Sequence, residues 1–308
     1  MACTPYPFGD DRAENPILRV SNDGLQWHLF PETPDPLVPP PSEPGWHHAD
    51  TDLVIHNNVL HLFYISTNRF AADTTFSLIT SSDGVHWTQP IVIYHREWGV
   101  SPAVIVNKDG KWLLWYIWRD ALSNSQISQL YMCTADVPIQ FGSPQLCTLT
   151  IPGYVVWHLD VMALAKGYEA LVAAFPIGTD TSRCCLFHAY SSDGIRFVVS
   201  SRSPIAKPSL LGWDNRVIYR STFIKLSNTN YRIWYSASSW ARRWGIGVLE
   251  GPLAKLRPVN IGTHSYNPTN IQKIQEDLIG IIRYSIIKIM PKNIISIIRS
   301  INNKLRSN

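Results

Sequence analysis

Two aspartates of the sequence stand in the same short setting, each preceded at two positions by a histidine. His48 and Asp50 lie within WHHADTD at 46–52, and His158 and Asp160 lie within VWHLDV at 156–161. Carboxyl groups held close together can serve as a general acid and a general base. Two histidines and two aspartates could also hold a divalent metal ion. Of the two readings we favour a polar pocket wall without a metal.

Further candidate residues lie in or next to short segments that we predict to be β-strands. Asp52 follows Asp50 at two positions, so the two side chains share one face of a regular strand. Arg220 lies at the start of another predicted strand, where a guanidinium could hold a carboxylate or a phosphate. Aromatic faces stack on the C–H surfaces of sugars. The candidate stacking residues all come just before predicted strands: Trp98, Trp157 and Trp213, the last followed by Asp214.

A recurring seven-residue phrase indicates what positions these residues. It reads SNDGLQW at 21–27, SSDGVHW at 81–87 and SSDGIRF at 191–197. Ser and Asp side chains bind the backbone in tight turns, and Gly accepts the positive φ that such turns require. We therefore interpret the phrase as the turn between the third and fourth strands of a repeated unit. Its Trp is expected to pack between units, and the phrase itself is not expected to be catalytic.

The surrounding sequence predicts short strands separated by polar turns, because its apolar runs are rich in Val, Ile, Tyr, Phe and Trp. Units of about 50 residues with four strands are typical of propeller blades. Four complete units are predicted at 46–95, 96–150, 151–205 and 206–262. The copy at 21–27 belongs to another unit that shows no inner strand. The pattern predicts an all-β, five-bladed β-propeller over 1–262 with a partial first blade.

Positive charge is concentrated near the C-terminus. Residues 271–308 contain seven Lys or Arg and two acidic residues, so the other 270 residues have a net charge of −1. A near-neutral body argues against nucleic-acid binding. Apolar residues recur at helical spacing on both sides of Pro291, which predicts a basic, amphipathic helical tail within 263–308. This tail either packs on the propeller or makes peripheral contact with a membrane or a partner through 271–308.

The remaining features narrow the class of protein. The five Cys do not show zinc-binding spacing, and no phosphate-binding Gly loop is present, so we expect no metal and no cofactor. The N-terminal residues show neither a basic region nor an apolar core typical of a signal peptide. The expected location is the cytoplasm, with the inner membrane as a peripheral contact of the tail.

The strands ADTDLVIHNNVLHLFY and SPAVIVNKDGKWLLWY resemble the blade openings of the five-bladed propeller superfamily of glycoside hydrolases, which includes families 43, 32, 62 and 68. The resemblance covers roughly residues 10–262. It implies three carboxylates around the propeller axis that flank a glycosidic bond. On this resemblance Asp50 and Asp160 are the catalytic candidates. The first-blade carboxylate of the superfamily falls on a strand that this chain lacks, and no Glu stands in an obvious general-acid motif.

These observations leave three functions open. The first is a glycosidase that cleaves an oligosaccharide or polysaccharide with paired carboxylates, as the two His-x-Asp segments suggest. The second is a carbohydrate-binding propeller without catalysis, as the missing inner strand suggests. The third is an accessory protein of surface-polysaccharide assembly that reaches the membrane through its tail.

Overall fold

The structure is a computed structural model, and it describes residues 1–6, 11–68, 73–119 and 126–259. Within these ranges the chain is nearly all β, apart from short 3-10 helices at Asp11–Ala13, Thr181–Arg183 and Leu253–Lys255. The all-β class is thereby confirmed. In the described part of the chain no helix is long and apolar enough to cross a membrane. The predicted helical tail lies outside the described residues.

Four segments each form a four-stranded antiparallel arrangement, and they coincide with the four units predicted from the repeat. They follow a short antiparallel pair, β1 (Ala2–Cys3) with β2 (Ile17–Leu18). The first unit comprises β3 (Trp46–His56), β4 (Val59–Asn68), β5 (Asp73–Ser81) and β6 (Ile91–His95). The second comprises β7 (Gly99–Val106), β8 (Trp112–Trp118), β9 (Gln129–Ala135) and β10 (Gln145–Leu149).

The third unit comprises β11 (Tyr154–Ala163), β12 (Tyr168–Pro176), β13 (Cys185–Ser191) and β14 (Arg196–Val199). The fourth comprises β15 (Val217–Lys225), β16 (Tyr231–Ser238), β17 (Trp244–Gly251) and β18 (Arg257–Pro258). The outer strands β10 and β14 also pair with each other in parallel, which joins the second and third units into one eight-stranded sheet.

The core lies between the units, and the second strand of each contributes side chains with almost no exposed surface. In β8 the run WLLWYIW is apolar on both faces, and Leu114, Trp115 and Tyr116 are all fully buried. A continuous apolar run is what a strand covered on both faces requires. Trp115 packs with Phe187 and Val172 of the third unit in one apolar cluster. The units are therefore held to one another by large side chains.

The recurring phrase forms the same turn at each of its three positions. In the copy at 81–87, the backbone N–H of Gly84 donates to Ser81 Oγ at 2.8 Å, and the N–H groups of Val85 and His86 donate to Asp83 Oδ1 at 2.8 Å each. The copies at 21–27 and 191–197 repeat these bonds. Gly84 has φ of 80°, so the residue predicted to need a positive φ has one.

The phrase also ties neighbouring units together, since its Gly carbonyl accepts a bond from another unit. Trp115 Nε1 donates to Gly194 O at 2.8 Å, from the second unit to the third. Trp234 Nε1 of the fourth unit donates to Gly24 O at 2.7 Å, and Thr33 Oγ1 donates to Gly84 O at 3.0 Å. The N-terminal segment therefore contacts both the fourth and the first unit and bridges them.

A β-bulge interrupts the inner strand of every four-stranded unit. The register shifts fall between Ala49 and Asp52 in β3, Val100 and Ala103 in β7, Val156 and His158 in β11, and Ile218 and Ser221 in β15. A bulge redirects side chains and is common beside active sites. The four bulges contain several of the candidate residues named from the sequence: Asp50, Trp157 and Arg220.

Candidate functional site

A cavity of about 720 Å³ opens where the inner strands begin. Its polar lining comes from several units, because residues in or just after the bulges of β3, β11 and β15 converge there with the N-terminal segment. The charged and hydroxyl-bearing residues in its wall include Glu14, Asp50, Asp52, Asp160, Tyr219, Arg220, Arg242 and Arg243. The cavity therefore combines a group of carboxyls with several arginines.

Asp50 is held in a fixed orientation by groups from three other inner strands. Its Oδ2 accepts a hydrogen bond from the backbone N–H of Ser101 at 2.8 Å. Its Oδ1 lies 3.7 Å from His158 Nδ1 and 3.9 Å from Arg220 Nη1. Both Asp50 and Ser101 adopt positive φ, of 50° and 58°. Left-handed backbone at non-glycine residues is strained and concentrates at functional sites.

Asp52 and Asp160 form a second, deeper pair of carboxyls. Asp52 Oδ2 accepts from the backbone N–H of Val104, and Asp52 Oδ1 accepts from that of Leu53 at 3.0 Å. Burial raises the pKa of Asp52, while the charge of Arg220 opposes that shift. Burial also raises the pKa of Asp160, and the nearby charge of Asp52 raises it further. One proton between these two carboxyls is favoured, because two buried like charges repel.

Glu14 brings a protonated carboxyl to the same cavity. Burial raises its pKa from 4.5 to about 9, and the charge of Asp50 adds to that effect. His47 Nε2 lies 3.6 Å from Glu14 Oε2, and burial lowers the pKa of His47. Near neutral pH, Glu14 and His47 are therefore both uncharged. The sequence contains no general-acid motif, yet Glu14 fits the description of a buried acid close to a second carboxyl, that of Asp50.

His158 and Tyr219 form the wall behind Asp50. Their rings lie 4.3 Å apart, and burial lowers the pKa of His158 to about 4, so its imidazole is neutral. Both ring nitrogens of His158 are buried without a hydrogen-bond partner. Tyr219 Oη accepts from Trp157 Nε1 at 2.8 Å, which leaves its own O–H to donate. Burial and the charge of Asp50 raise the pKa of Tyr219, so it stays protonated.

The structure brings together only part of the residues named from the sequence. Asp50, Asp52, Asp160 and Arg220 line the large cavity, and Trp157 lines a smaller one beside it. His158 reaches the site through its contact with Asp50. Asp52 and Asp160 lie in the middle of β3 and β11 and not at their starts, and the roles of all these residues remain predictions.

Four named residues do not reach the cavity. His48 is buried, with Nδ1 against Ser66 Oγ at 2.8 Å and Nε2 against Pro39 O at 3.0 Å; it keeps its regular register in β3, while the bulge that follows it displaces Asp50 from the strand alternation. Trp213 stacks on Tyr235 outside the pocket. The other two also lie outside its lining: Asp214, which accepts from Tyr235 Oη at 3.0 Å, and Trp98, which occupies the turn before β7.

Different aromatics line the large cavity instead: Tyr6, Trp27, Tyr219, Trp234 and Trp244. Only Tyr219 had a signal in the sequence, as the residue before Arg220. Trp244 begins β17, which is the third strand of its unit. The search for aromatic residues just before inner strands therefore did not include it. Trp27 belongs to the repeated phrase and was assigned to packing, which its edge contact with Trp234 at 6.3 Å also shows.

His48 is not available as a ligand of the metal site considered from the sequence, because both of its ring nitrogens already have protein partners. His158 and Asp50 remain close enough to share an ion, with His158 supplying buried nitrogens that lack a partner. Within the described residues, no three side chains of His, Cys, Asp or Glu are grouped as ligands of one ion.

Comparisons with known proteins place the fold. A crystal structure of an N-acetylgalactosamine deacetylase from F. plautii, in complex with blood group B trisaccharide, is similar with a TM-score of 0.76 and 21% identity. That similarity covers 82% of this chain and 84% of the other. A thermostable family-43 glycoside hydrolase matches with a TM-score of 0.53 and 14% identity, over 72% and 77% of the two chains. The chain has the fold of the propeller glycoside hydrolase superfamily.

Two further comparisons support the same placement. A β-fructofuranosidase of family 32 from Bombyx mori matches with a TM-score of 0.53 and 13% identity, over 70% of this chain and 51% of the other. The curated A type blood N-acetyl-alpha-D-galactosamine deacetylase of Flavonifractor plautii is 22% identical over 282 residues, which is 73% of this chain. The chain spans only 36% of that protein's length. No family model matches the sequence.

Proposed function

We propose that this chain is a carbohydrate-active propeller that hydrolyses the N-acetyl group of an amino sugar within a glycan. The substrate class is supported by the curated relative and by the similar crystal structure, which are both named as N-acetylgalactosamine deacetylases of F. plautii. The observation that carries the proposal is the protonated Glu14 beside the charge of Asp50 in one cavity. Amide hydrolysis needs a base and an acid at the same time.

Three residues of the large cavity match the three requirements of amide hydrolysis, which are a base (Asp50), a donor to the oxyanion (Tyr219) and an acid (Glu14). Asp50 accepts a proton from the attacking water, with its carboxylate oriented by the Ser101 N–H at 2.8 Å. Tyr219 donates its O–H to the acetamide oxygen as negative charge develops there. Glu14 then gives its proton to the departing amine. Water adds to the carbonyl carbon, the C–N bond breaks, and acetate and a free amino sugar result.

The charges in the cavity agree with Asp50 as the base and with Glu14 and Tyr219 as proton donors. The charge of Asp50 raises the pKa of both Glu14 and Tyr219, which keeps a proton on each. Arg220 Nη1, at 3.9 Å from Asp50 Oδ1, balances part of that charge. A carboxyl group that keeps its proton, close to a second carboxyl that can act as a base, is typical of an acid–base pair.

A divalent cation is the other way to activate water in such a site. Asp50 and His158 fit as two of its ligands, because their donor atoms are 3.7 Å apart and the His158 nitrogens have no protein partner. Acetate release should therefore be measured after chelator treatment and again with added Zn²⁺. Release that depends on Zn²⁺ would assign the water to the cation and make Asp50 a ligand rather than the base.

A glycosidase remains the second candidate, and Asp160 is the observation in its favour. Burial and Asp52 raise the pKa of Asp160, as a general acid requires, and Asp50 would serve as its partner carboxyl. This pairing is the cleavage expected from the sequence. It uses the same cavity but a different bond of the glycan.

Mass spectrometry of the protein with a panel of N-acetylated oligosaccharides separates the candidates. Loss of acetyl from an intact oligosaccharide supports the proposal, while shorter oligosaccharides would support the glycosidase. Ligand that binds and stays unchanged would identify a carbohydrate-binding protein. The Asp50→Asn variant should bind glycan and lose turnover, with Asn57→Asp, an exposed position in the β3–β4 turn, as a control that keeps it.

A further inference from the structure

The hydroxyl of Ser101 connects the inner strands of three units behind the wall of the large cavity. Ser101 Oγ donates to Leu159 O at 3.3 Å and accepts from the Leu159 N–H at 3.1 Å. Arg220 Nη1 donates to the same Oγ at 3.4 Å. A hydroxyl has one proton to donate and two lone pairs that accept. These three bonds therefore satisfy the Ser101 hydroxyl completely, and they tie β7 to β11 and β15.

The backbone of Ser101 extends this connection to the fourth inner strand, since its N–H donates to Asp50 Oδ2 at 2.8 Å. Ser101 has no exposed surface and does not belong to the lining of the large cavity, whereas Asp50 does. A glycan in the cavity can touch Asp50 but not Ser101. Any effect of Ser101 on the reaction must therefore pass through the carboxyl of Asp50.

The backbone conformation of Ser101 opposes its local preferences. Its φ is 58°, and left-handed backbone is unfavourable for any residue with a Cβ. Pro102 follows, and a residue before proline prefers extended backbone. Such a conformation persists only where the surrounding structure holds it. The bonds of the Ser101 hydroxyl supply that hold, and Arg220 Nη2 adds a bond to Pro102 O.

We infer that Ser101 is a positioning residue, whose hydroxyl holds the left-handed backbone that aims the Ser101 N–H at Asp50 Oδ2. Extended backbone at this position would turn the N–H away, and the carboxyl would lose this donor. The inference rests on the proposed function for the part that Asp50 plays in the reaction. It applies to Asp50 as the base and equally as a ligand, because either role needs the carboxyl in one orientation.

Ser101→Ala and Ser101→Gly test this role as a pair, because both lack the hydroxyl and only Gly accepts a positive φ freely. Ser101→Ala should lower kcat for acetate release about tenfold with little change in KM, since a small misplacement of a reacting group is costly. Ser101→Gly should keep kcat within about twofold of the wild type. Ser191→Ala is the control and should keep kcat, since it removes another buried hydroxyl, one that accepts from the Gly194 N–H outside the cavity.

Amide hydrogen exchange at residue 101, followed by NMR, tests the same step without turnover. The residue 101 N–H should stay protected in the wild type and in Ser101→Gly, and it should exchange about tenfold faster in Ser101→Ala. The Val104 N–H, which donates to Asp52, is the internal reference for changes in overall stability. Urea unfolding checks that each variant folds, and Ser101→Cys replaces Ser101→Ala if that variant does not.

Equal losses of kcat and of protection in Ser101→Ala and Ser101→Gly would overturn the inference, as would wild-type behaviour of Ser101→Ala. Failure of the proposed function is read separately, from the wild type. A wild type that releases no acetate would refute the deacetylase, while exchange at residue 101 would still decide the role of Ser101.

Discussion

Replacing Glu14 with Gln should make stability at alkaline pH higher, because Glu14 holds a proton in the folded protein. Its pKa is about 9 in the folded state and 4.5 as its ordinary value. Between those values the folded state binds one more proton than the unfolded state, so the contribution of Glu14 to stability falls as pH rises. Below pH 4.5 both states are protonated and that contribution is complete.

The size of the effect follows from the pH interval. Each pH unit in this window changes the free energy of unfolding by about 1.4 kcal/mol per proton, so the change from pH 5 to pH 8 is about 4 kcal/mol. Glu14→Gln is neutral at both values and lacks this loss. The free energy of unfolding of the wild type, relative to the variant, should therefore fall by about 4 kcal/mol between pH 5 and pH 8.

Urea unfolding of both proteins at pH 5, 6.5 and 8 measures this difference, and taking the difference cancels the titration of His158, Asp160 and other groups. Glu43→Gln, the same substitution at an exposed position, is the matched control. A wild-type-minus-variant difference that stays constant from pH 5 to pH 8 would refute the protonated state of Glu14. The proposed acid would then have no proton to give.

Other predictions test the fold and the site. Trp234→Phe removes the N–H that donates to Gly24 O and should lower the free energy of unfolding by about 1 kcal/mol, measured by urea unfolding. An unchanged free energy of unfolding would mean that this bond between the fourth unit and the N-terminal segment does not stabilise the fold. Lys225→Met leaves the buried Glu169 without its cation and should lower the free energy of unfolding by about 3 kcal/mol in the same assay; an unchanged value would mean that this ion pair does not stabilise the fold. Tyr219→Phe should lower kcat for acetate release about a hundredfold with little change in KM. A higher KM with little change in kcat would indicate that Tyr219 contributes to substrate binding instead.

The fold could be predicted from the sequence because each copy of the repeated phrase has recognisable turn residues. The phrase at 21–27, 81–87 and 191–197 requires Ser, Asp and Gly at fixed offsets, and the structure uses each for the predicted turn. Alternating strands and turns then fixed the positions of the four complete units. The number of blades in the whole ring and the helical tail remain predictions, since the tail lies outside the described residues.

The site was only partly accessible, and the β-bulges explain why. The His-x-Asp spacing suggested one polar wall for His48 and Asp50, but the bulge between Ala49 and Asp52 displaces Asp50, while His48 keeps its regular register and lies in the core against Ser66 and Pro39. A bulge has no reliable sequence signature when Gly is absent. Glu14 was missed for another reason, since it lies outside the repeat and reaches the cavity through long-range packing alone.

The oxygen of the attacking water tests the central claim most directly. The protein should be incubated in H₂¹⁸O with an N-acetylated oligosaccharide that it turns over, and the products analysed by mass spectrometry. The proposed deacetylation predicts ¹⁸O in released acetate, an intact sugar chain and a new free amine. Incorporation of ¹⁸O at an anomeric carbon, with the acetyl group retained, would contradict it and assign Asp50 and Asp160 to glycosidic cleavage.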